Sequence, residues 1–285
     1  MAAPQTVPHR TVRTRRIAFA YPPASLDRHY VNGDLVMSHV VSVLSAMFPP
    51  GEDFFVRSVQ RHADQVTDPE LKRQVAGFIG QEVTHGREHR ELNKRLQEMG
   101  YPTHRVSRMA KAGLLRNERI FPPKVQLAMT AALEHYTAAL AETLLTDPRA
   151  QELLGETEVR SMLLWHALEE SEHKAVAFDV FQQVVGDEQL RIRMMRFTTF
   201  AFLLAVLGHT TLSLLGDRAT YNPRRLARSI AELRHSPFLS RTVIRRVRDY
   251  NRVGFHPDDH DATELLERWR VELFGEQGTL ADHLK

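Results

Sequence analysis

The stretch Trp165–Lys174, WHALEESEHK, constrains this chain most. On a helix, His166, Glu170 and His173 share one face, because residues three and four apart are helix neighbours. Positions in the same phase on either side are apolar: Val159, Met162 and Leu163 before, Ala177, Val180 and Val184 after. Such a face points into a core. The middle of an apolar stripe therefore carries an ionisable cluster. A buried, unpaired carboxylate costs several kcal/mol, and a bound metal is the simplest compensation.

The same pattern recurs upstream. Asp68-Pro69 opens a helix with proline at its first position, which runs to about Met99 with Gly100 as its C-cap. Its stripe reads Leu71, Val75, Phe78, Glu82, His85, His89, Leu92, Leu96, Met99. Pro122-Pro123 starts another helix to about Leu145, whose face is Leu127, Ala131, Glu134, Ala138, Ala141 and Leu145. His135 reads as a polar flank of that face, and Tyr136 as a structural residue or a nearby hydrogen-bond donor. The opening stretch lies on a helix of about Glu156–Val185, closed by Gly186. Asp34–Phe48 reads as a helix stopped by Pro49-Pro50-Gly51, and Glu52–Val66 as a restart. Glu52 then sits at a helix start, where a metal role and a helix-dipole role are equally open. Residues 101–121 read as a basic, irregular connection with a short helix at most. Alternating β patterns, Gly-rich phosphate loops and repeats are not evident.

In order, the ligand types are Glu52, Glu82-x-x-His85, Glu134 and Glu170-x-x-His173. A four-helix bundle that takes one Glu from each of two helices and a Glu-x-x-His from each of the other two projects all six inward. Two divalent ions fit between them, and four carboxylates with two neutral imidazoles balance their charge. The chain has no Cys, which removes thiolate sites, disulfides and Cys nucleophiles. A carboxylate-rich site favours iron, with manganese or zinc as alternatives.

This constellation resembles the ferritin-like di-iron carboxylate superfamily over roughly residues 50–185. Its spacing is close to that of di-iron desaturases and arylamine N-oxygenases. The runs FPPGEDFF, QEVTHGREH, LEHYTA, WHALEESEHKAVAFDV and GFHPDD together resemble, over nearly the whole chain, a bacterial family described as predicted metal-dependent hydrolases. The resemblance implies Glu52, Glu82, His85, Glu134, Glu170 and His173 as metal ligands. It also implies that the residue before each ligating Glu orients a metal-bound His. Gln81 stands where an Asp is common, and its carbonyl can still accept a hydrogen bond. Glu169 keeps an acid at the equivalent place. His89 and His166 are extra, each readable as a further ligand, a base behind the ligands or a core histidine. His166 is favoured as a ligand because it lies four residues before Glu170.

The expected architecture is all-α: an N-terminal arm over 1–30, extended or poorly ordered; a ferritin-like four-helix bundle over 31–190; and a C-terminal helical extension over 191–285. Phe197–Leu215 is a nineteen-residue run without formal charge, between basic flanks. It reads as a buried fifth helix, a homodimer seam or, with the Arg-rich segment to residue 252, a peripheral membrane contact. Arg clusters in 191–252 although the net charge is only +3, which does not suit a uniformly basic nucleic-acid binder. The expected location is the cytoplasm, with or without membrane association: no secretory signal is visible, and the absence of Cys fits a reducing compartment. The first functional reading is oxygen-dependent oxidation of an organic, apolar small molecule, served by an electron-transfer partner. The alternative is hydrolysis by metal-activated water. A non-catalytic metal-binding bundle comes third.

Overall fold

A computed structural model describes residues 8–285 of the chain. Among them the fold is all-α, with a single isolated β-bridge between Ile17 and Leu284. Four long elements form the bundle: α1 (Leu35–Gln60), α2 (Pro69–Glu98), then, after the crossover α3 (Thr103–Ile120), α4 (Pro123–Thr146) and, after the short α5 (Pro148–Leu154), α6 (Glu158–His173) continued by α7 (Val176–Val184).

The direction of each helix follows from which apolar cluster it meets first. One cluster gathers Leu92, Leu96, Tyr101, Leu145, Val159, Trp165 and Leu168. The other gathers Phe54, Phe78, Leu127, Phe178 and Phe181. Chains α2 and α4 pass from the second cluster to the first, α1 and α6–α7 the other way. The bundle is thus two antiparallel pairs joined by the crossover α3. Every ligand-type residue lies on the layer between the two clusters.

Several local expectations are corrected. Pro49-Pro50 does not end a helix: α1 runs through both prolines, which are buried inside it. A proline lacks the N–H that would bond the carbonyl four residues back. At Pro49 that carbonyl is Ser45 O, and Asn93 Nδ2 on α2 donates to it at 2.9 Å. Glu52 is therefore mid-helix, and the helix-dipole reading of it falls away. Residues 103–120 form an eighteen-residue helix rather than an irregular connection. The helix expected over 156–185 is broken at Lys174–Ala175, directly after His173. There Lys174 Nζ turns away to Glu142 Oε1 at 2.8 Å and to the carbonyl of His260.

The arm beyond residue 7, expected to be extended or poorly ordered, is extended and pinned; residues 1–7 lie outside the described residues. It crosses α2 where that helix has Gly77 and Gly80. A Cβ at Gly77 would overlap the Val12 carbonyl oxygen, and one at Gly80 the Thr14 hydroxyl. Arg10 pairs with Asp179 on α7 and with Asp258, and His256 Nε2 lies 2.8 Å from Asp179 Oδ1. The GFHPDD run and the basic arm thus meet on the same helix.

Beyond the bundle, α8 (Glu188–Leu215) lies along α4 and α1, followed by α9 (Pro223–Leu233) on α1, α10 (Arg241–Asp249) on α4 and α11 (Thr263–Phe274) on α6. Only a thin stripe of α8 is buried (Leu190, Arg191, Ile192, Met195, Thr198, Thr210, Ser213). The reading of 197–215 as a buried fifth helix does not hold, because Phe200, Leu203, Leu204 and Leu207 are each more than half exposed. By length and composition α8 is the one described helix that could cross a membrane.

Candidate metal centre

Each inward side chain comes from a helix whose apolar neighbours fix its phase. Glu52 comes from α1, Glu82, His85 and His89 from α2, Glu134 from α4, and His166, Glu170 and His173 from α6; all are buried. Two groups of three converge. Glu52, His85 and His166 offer ligand atoms within 4.8 Å of one another, and so do Glu82, Glu170 and His173. Two carboxylates reach both groups. Glu82 Oε1 lies 3.1 Å from His173 Nε2 and 3.8 Å from His85 Nδ1. Glu170 Oε1 lies 3.5 Å from His85 Nδ1, 3.7 Å from His173 Nε2 and 2.9 Å from His166 Nε2. Glu134 Oε2 sits 3.3 Å from His173 Nε2. His166 Nε2 is 3.9 Å from Glu52 Oε1. The layout is two adjacent positions, one bounded by Glu52, His85 and His166 and the other by Glu134 and His173, with Glu82 and Glu170 between them.

The test of fit to a metal is which polar atoms lack partners. Both oxygens of Glu52, Glu82 and Glu134, Oε2 of Glu170, His85 Nδ1 and His173 Nε2 are buried without a hydrogen bond. Native interiors rarely leave such groups unpaired. Other partnerless atoms are scattered singly through the protein, but these nine carboxylate oxygens and imidazole nitrogens are gathered in one layer. Without a cation, burial drives Glu52 and Glu82 above the ordinary carboxylate range and Glu134 up to about 8, with carboxylate neighbours adding to it. Glu170 is instead held well below its usual value: burial opposes this, but His173, His166 and His85 outweigh it. Two divalent cations would remove the mutual repulsion and supply the missing partners, so the residues fit a binuclear centre.

Outside the ligand layer, the hydrogen bonds cross between helices. His85 Nε2 donates to Glu169 Oε2 on α6 at 3.0 Å, and His173 Nδ1 donates to Gln81 Oε1 on α2 at 2.9 Å. Each Glu-x-x-His helix thus orients the histidine of the other. These bonds leave His85 Nδ1 and His173 Nε2 as the free ring nitrogens. Gln81 Nε2 donates to Glu172, and Arg15 from the arm spans Glu169 Oε1 at 2.9 Å and Glu172 Oε1 at 2.7 Å. Arg270 on α11 adds a further bond to Glu172. Sequence reasoning missed Arg15 and Glu172; the basic run of the arm was the available signal.

A second chain of bonds fixes the tautomer of His166. Its Nδ1 is 2.9 Å from His89 Nε2, His89 Nδ1 is 2.9 Å from Ser45 Oγ, and Ser45 donates to Asn93 Oδ1 at 2.9 Å. Because Asn93 Oδ1 only accepts, the donors run from His166 outward, and His166 Nε2 faces the site, 2.9 Å from Glu170 Oε1. His89 therefore holds His166 and does not itself face the ligand layer. Burial keeps both neutral, His166 down at about 4 and His89 lower than usual. Gly86 was also missed: a Cβ there would stand 2.9 Å from Glu52 Oε2. Its absence of a side chain lets Glu52 into the layer.

Other candidates fall outside the centre. His135 Nε2 accepts no ligand role and bonds the Arg246 carbonyl at 2.8 Å. Tyr136 donates to Thr199 on α8 at 2.7 Å. His29, His39 and Asp217 also converge, but they bond one another beneath Arg28 and Arg225. Two guanidiniums at a site disfavour a further cation, and this group braces α8 against α1.

A search of curated proteins and of solved structures finds no match. One family, described as predicted metal-dependent hydrolase, matches residues 13–261, a span that includes the arm from Arg13, the whole bundle and the GFHPDD run. That span covers most of the chain and holds every residue of the convergent layer, and the chain belongs to this family of predicted metal-dependent hydrolases.

Proposed function

We propose that this protein is a binuclear metal enzyme that hydrolyses an apolar small molecule. The observation that carries the reading is the layer of partnerless carboxylate oxygens and imidazole nitrogens between two apolar clusters. Glu52, Glu82, His85, Glu134, Glu170 and His173 hold two divalent ions, and His166 Nε2 is a seventh donor. When bound, such ions supply Lewis acidity and a water of lowered pKa. Glu82 and Glu170 span the two positions. Gln81, Glu169, Arg15 and His89 fix the histidines in one tautomer. The family description favours hydrolysis over the oxidation that the ligand pattern first suggested.

Oxygen-dependent oxidation stands as the second reading. It is favoured by one feature, a donor set dominated by hard carboxylate oxygen with no thiolate in the chain, which suits iron or manganese. Metal analysis with optical and Mössbauer spectra separates the two. Two redox-silent ions per chain with ester or amide hydrolysis support the first reading. Two irons whose reduced form consumes dioxygen support the second. Metal-free protein, unchanged by Glu82→Ala and Glu170→Ala, overturns both.

A further inference from the structure

A cavity of about 550 Å³ runs between α3 and α8, within the usual size of a small-molecule site. Its floor is the outer side of α1 and α4. Phe48, Gly51 and Phe55 lie there on either side of Glu52, and Leu133 and Thr137 on either side of Glu134. The walls are mostly apolar, with Arg116, Asn117, Thr198 and His209 among the lining residues. The slot is therefore an apolar corridor whose inner side is the helix layer that carries two of the metal-facing carboxylates.

The outer lip of this slot is unusual for a surface. Of the residues lining it, Ile120 on α3 is more than half exposed, with Met109 and Phe197 close to that, and on the side of α8 turned away from the slot Phe200, Leu203, Leu204 and Leu207 are each more than half exposed. Contiguous apolar patches of this kind mark interaction sites. α8 lies flat along the bundle: Arg191 bonds the Arg252 carbonyl at one end, Thr199 meets Tyr136 in the middle, and Ser213 bonds His39 at the other. A helix pinned at both ends presents its apolar face as a plane and does not project.

Charge decides what covers that plane. α3 carries five basic residues (Arg105, Arg108, Lys111, Arg116, Arg119) against one acid, Glu118, which is already paired with Arg57 and Arg61. Arg193 and Arg196 precede the apolar run on α8, and Arg218, Arg224, Arg225 and Arg228 follow it. A second copy on the same face would set these arginines against their own kind. An anionic lipid surface matches them, with about 1 kcal/mol for each basic residue near it. A basic helix with an aromatic and leucine face is the pattern of an in-plane interfacial helix.

We propose that the α8 face and the lip of the slot dock on an anionic phospholipid bilayer, and that the slot takes one hydrocarbon chain of a lipid drawn from it. The slot then brings that chain to the side of the centre where Glu52 and Glu134 lie. Only this last clause rests on the functional reading above; bilayer docking and chain binding do not require bound metal.

The test is sedimentation of the full-length, metal-stripped and metal-loaded protein with two vesicle types. One is phosphatidylcholine alone and the other phosphatidylcholine mixed with phosphatidylglycerol. Binding to the anionic vesicles, weakened by salt, is expected. Phe200→Glu with Leu204→Glu should lower it by roughly tenfold or more, whereas Val271→Glu, at an exposed site on α11, should not. In parallel, a fluorescent polyene fatty acid should bind the wild type and be displaced by palmitate. Gly113→Trp should abolish that binding while leaving vesicle binding intact, because a side chain at Gly113 meets nothing within 4 Å and fills the slot. Equal sedimentation of all variants overturns the docking, as does a dimer in solution that Phe200→Glu with Leu204→Glu converts to monomer without any vesicle binding. Unchanged fatty-acid binding in Gly113→Trp overturns the slot.

Discussion

Glu134 illustrates why the centre is a liability when empty. Its two oxygens have no partner, and burial with nearby Glu82 raises its pKa to about 8. At neutral pH the metal-free protein holds it largely protonated, so Glu134→Gln keeps shape and charge almost unchanged there. The metal-free melting temperature should shift little. The stabilisation on adding metal should fall, from about 2.7 kcal/mol at a hundredfold excess over Kd to well under half of that, read by thermal melts with and without metal. Gly86→Ala makes the opposite kind of test. Alanine favours a helix by about 1 kcal/mol over glycine, yet its Cβ would stand 2.9 Å from Glu52 Oε2. Metal-free stability should hold or rise while metal content drops from two toward one, since the position bounded by Glu52, His85 and His166 is the one disturbed. Metal analysis by mass spectrometry on the two proteins, with stability from urea melts, decides it.

At the scale of elements, the stripes of α2, α4 and α6 were legible because an apolar period of three and four carried ligand types in phase. Glu82, His85, Glu134, His166, Glu170 and His173 could be named for that reason; Glu52, on α1, came from the repeated order of ligand types and from the resemblance, and the structure gathers all seven in one layer. What was illegible depends on partners distant in sequence. Pro49-Pro50 reads as a stop, and only Asn93, on another helix, shows how α1 passes through it. The helix α3 looked irregular because its apolar side faces a slot rather than a packed core, with only Thr103 and Val106 buried. The arm has no period at all; it is held by two glycines and by Arg15. That arginine is the firmest link between the arm and the centre, since it pairs with Glu169 and Glu172, whose side chains have no exposed surface. Removing one partner of a buried ion pair costs about 3–5 kcal/mol, and loss of an outer orienting bond lowers metal affinity about 10–100-fold. Arg15→Ala should show both effects, in urea melts and in competition with a chelator. Arg13→Ala, which lacks such pairs among the described contacts, should show neither.

The whole molecule joins its C-terminal third to the bundle through a pH-sensitive brace. His39 on α1 is fully buried, with Nδ1 2.7 Å from Ser213 Oγ and Nε2 3.1 Å from Asp217 Oδ2, at the end of α8. Burial holds its pKa down at about 4 against an ordinary 6.5, although Asp217 pulls the other way and Arg28 and His29 add to the lowering. Asp217 itself is held at about 2 by its backbone and histidine bonds, despite burial, and stays charged throughout. A depressed pKa means that the unfolded chain takes the proton first. The contribution of His39 is therefore complete above pH 6.5 and is lost as pH falls toward 4, by at most about 3 kcal/mol. His135, buried and also down at about 4, acts in the same direction, whereas the raised carboxyl of Glu134 acts oppositely in the metal-free protein, so the contribution of His39 is read from the difference between wild type and a non-titrating variant. Gln at position 39 can keep both hydrogen bonds and cannot titrate. His39→Gln should cost about 1 kcal/mol at pH 7.5, and that deficit should shrink or reverse at pH 4.5. Hydrogen exchange over residues 205–217 should rise at acid pH in the wild type and stay flat in the variant. A deficit that is equal at both pH values, with identical exchange, would place the acid sensitivity elsewhere than at this end of α8.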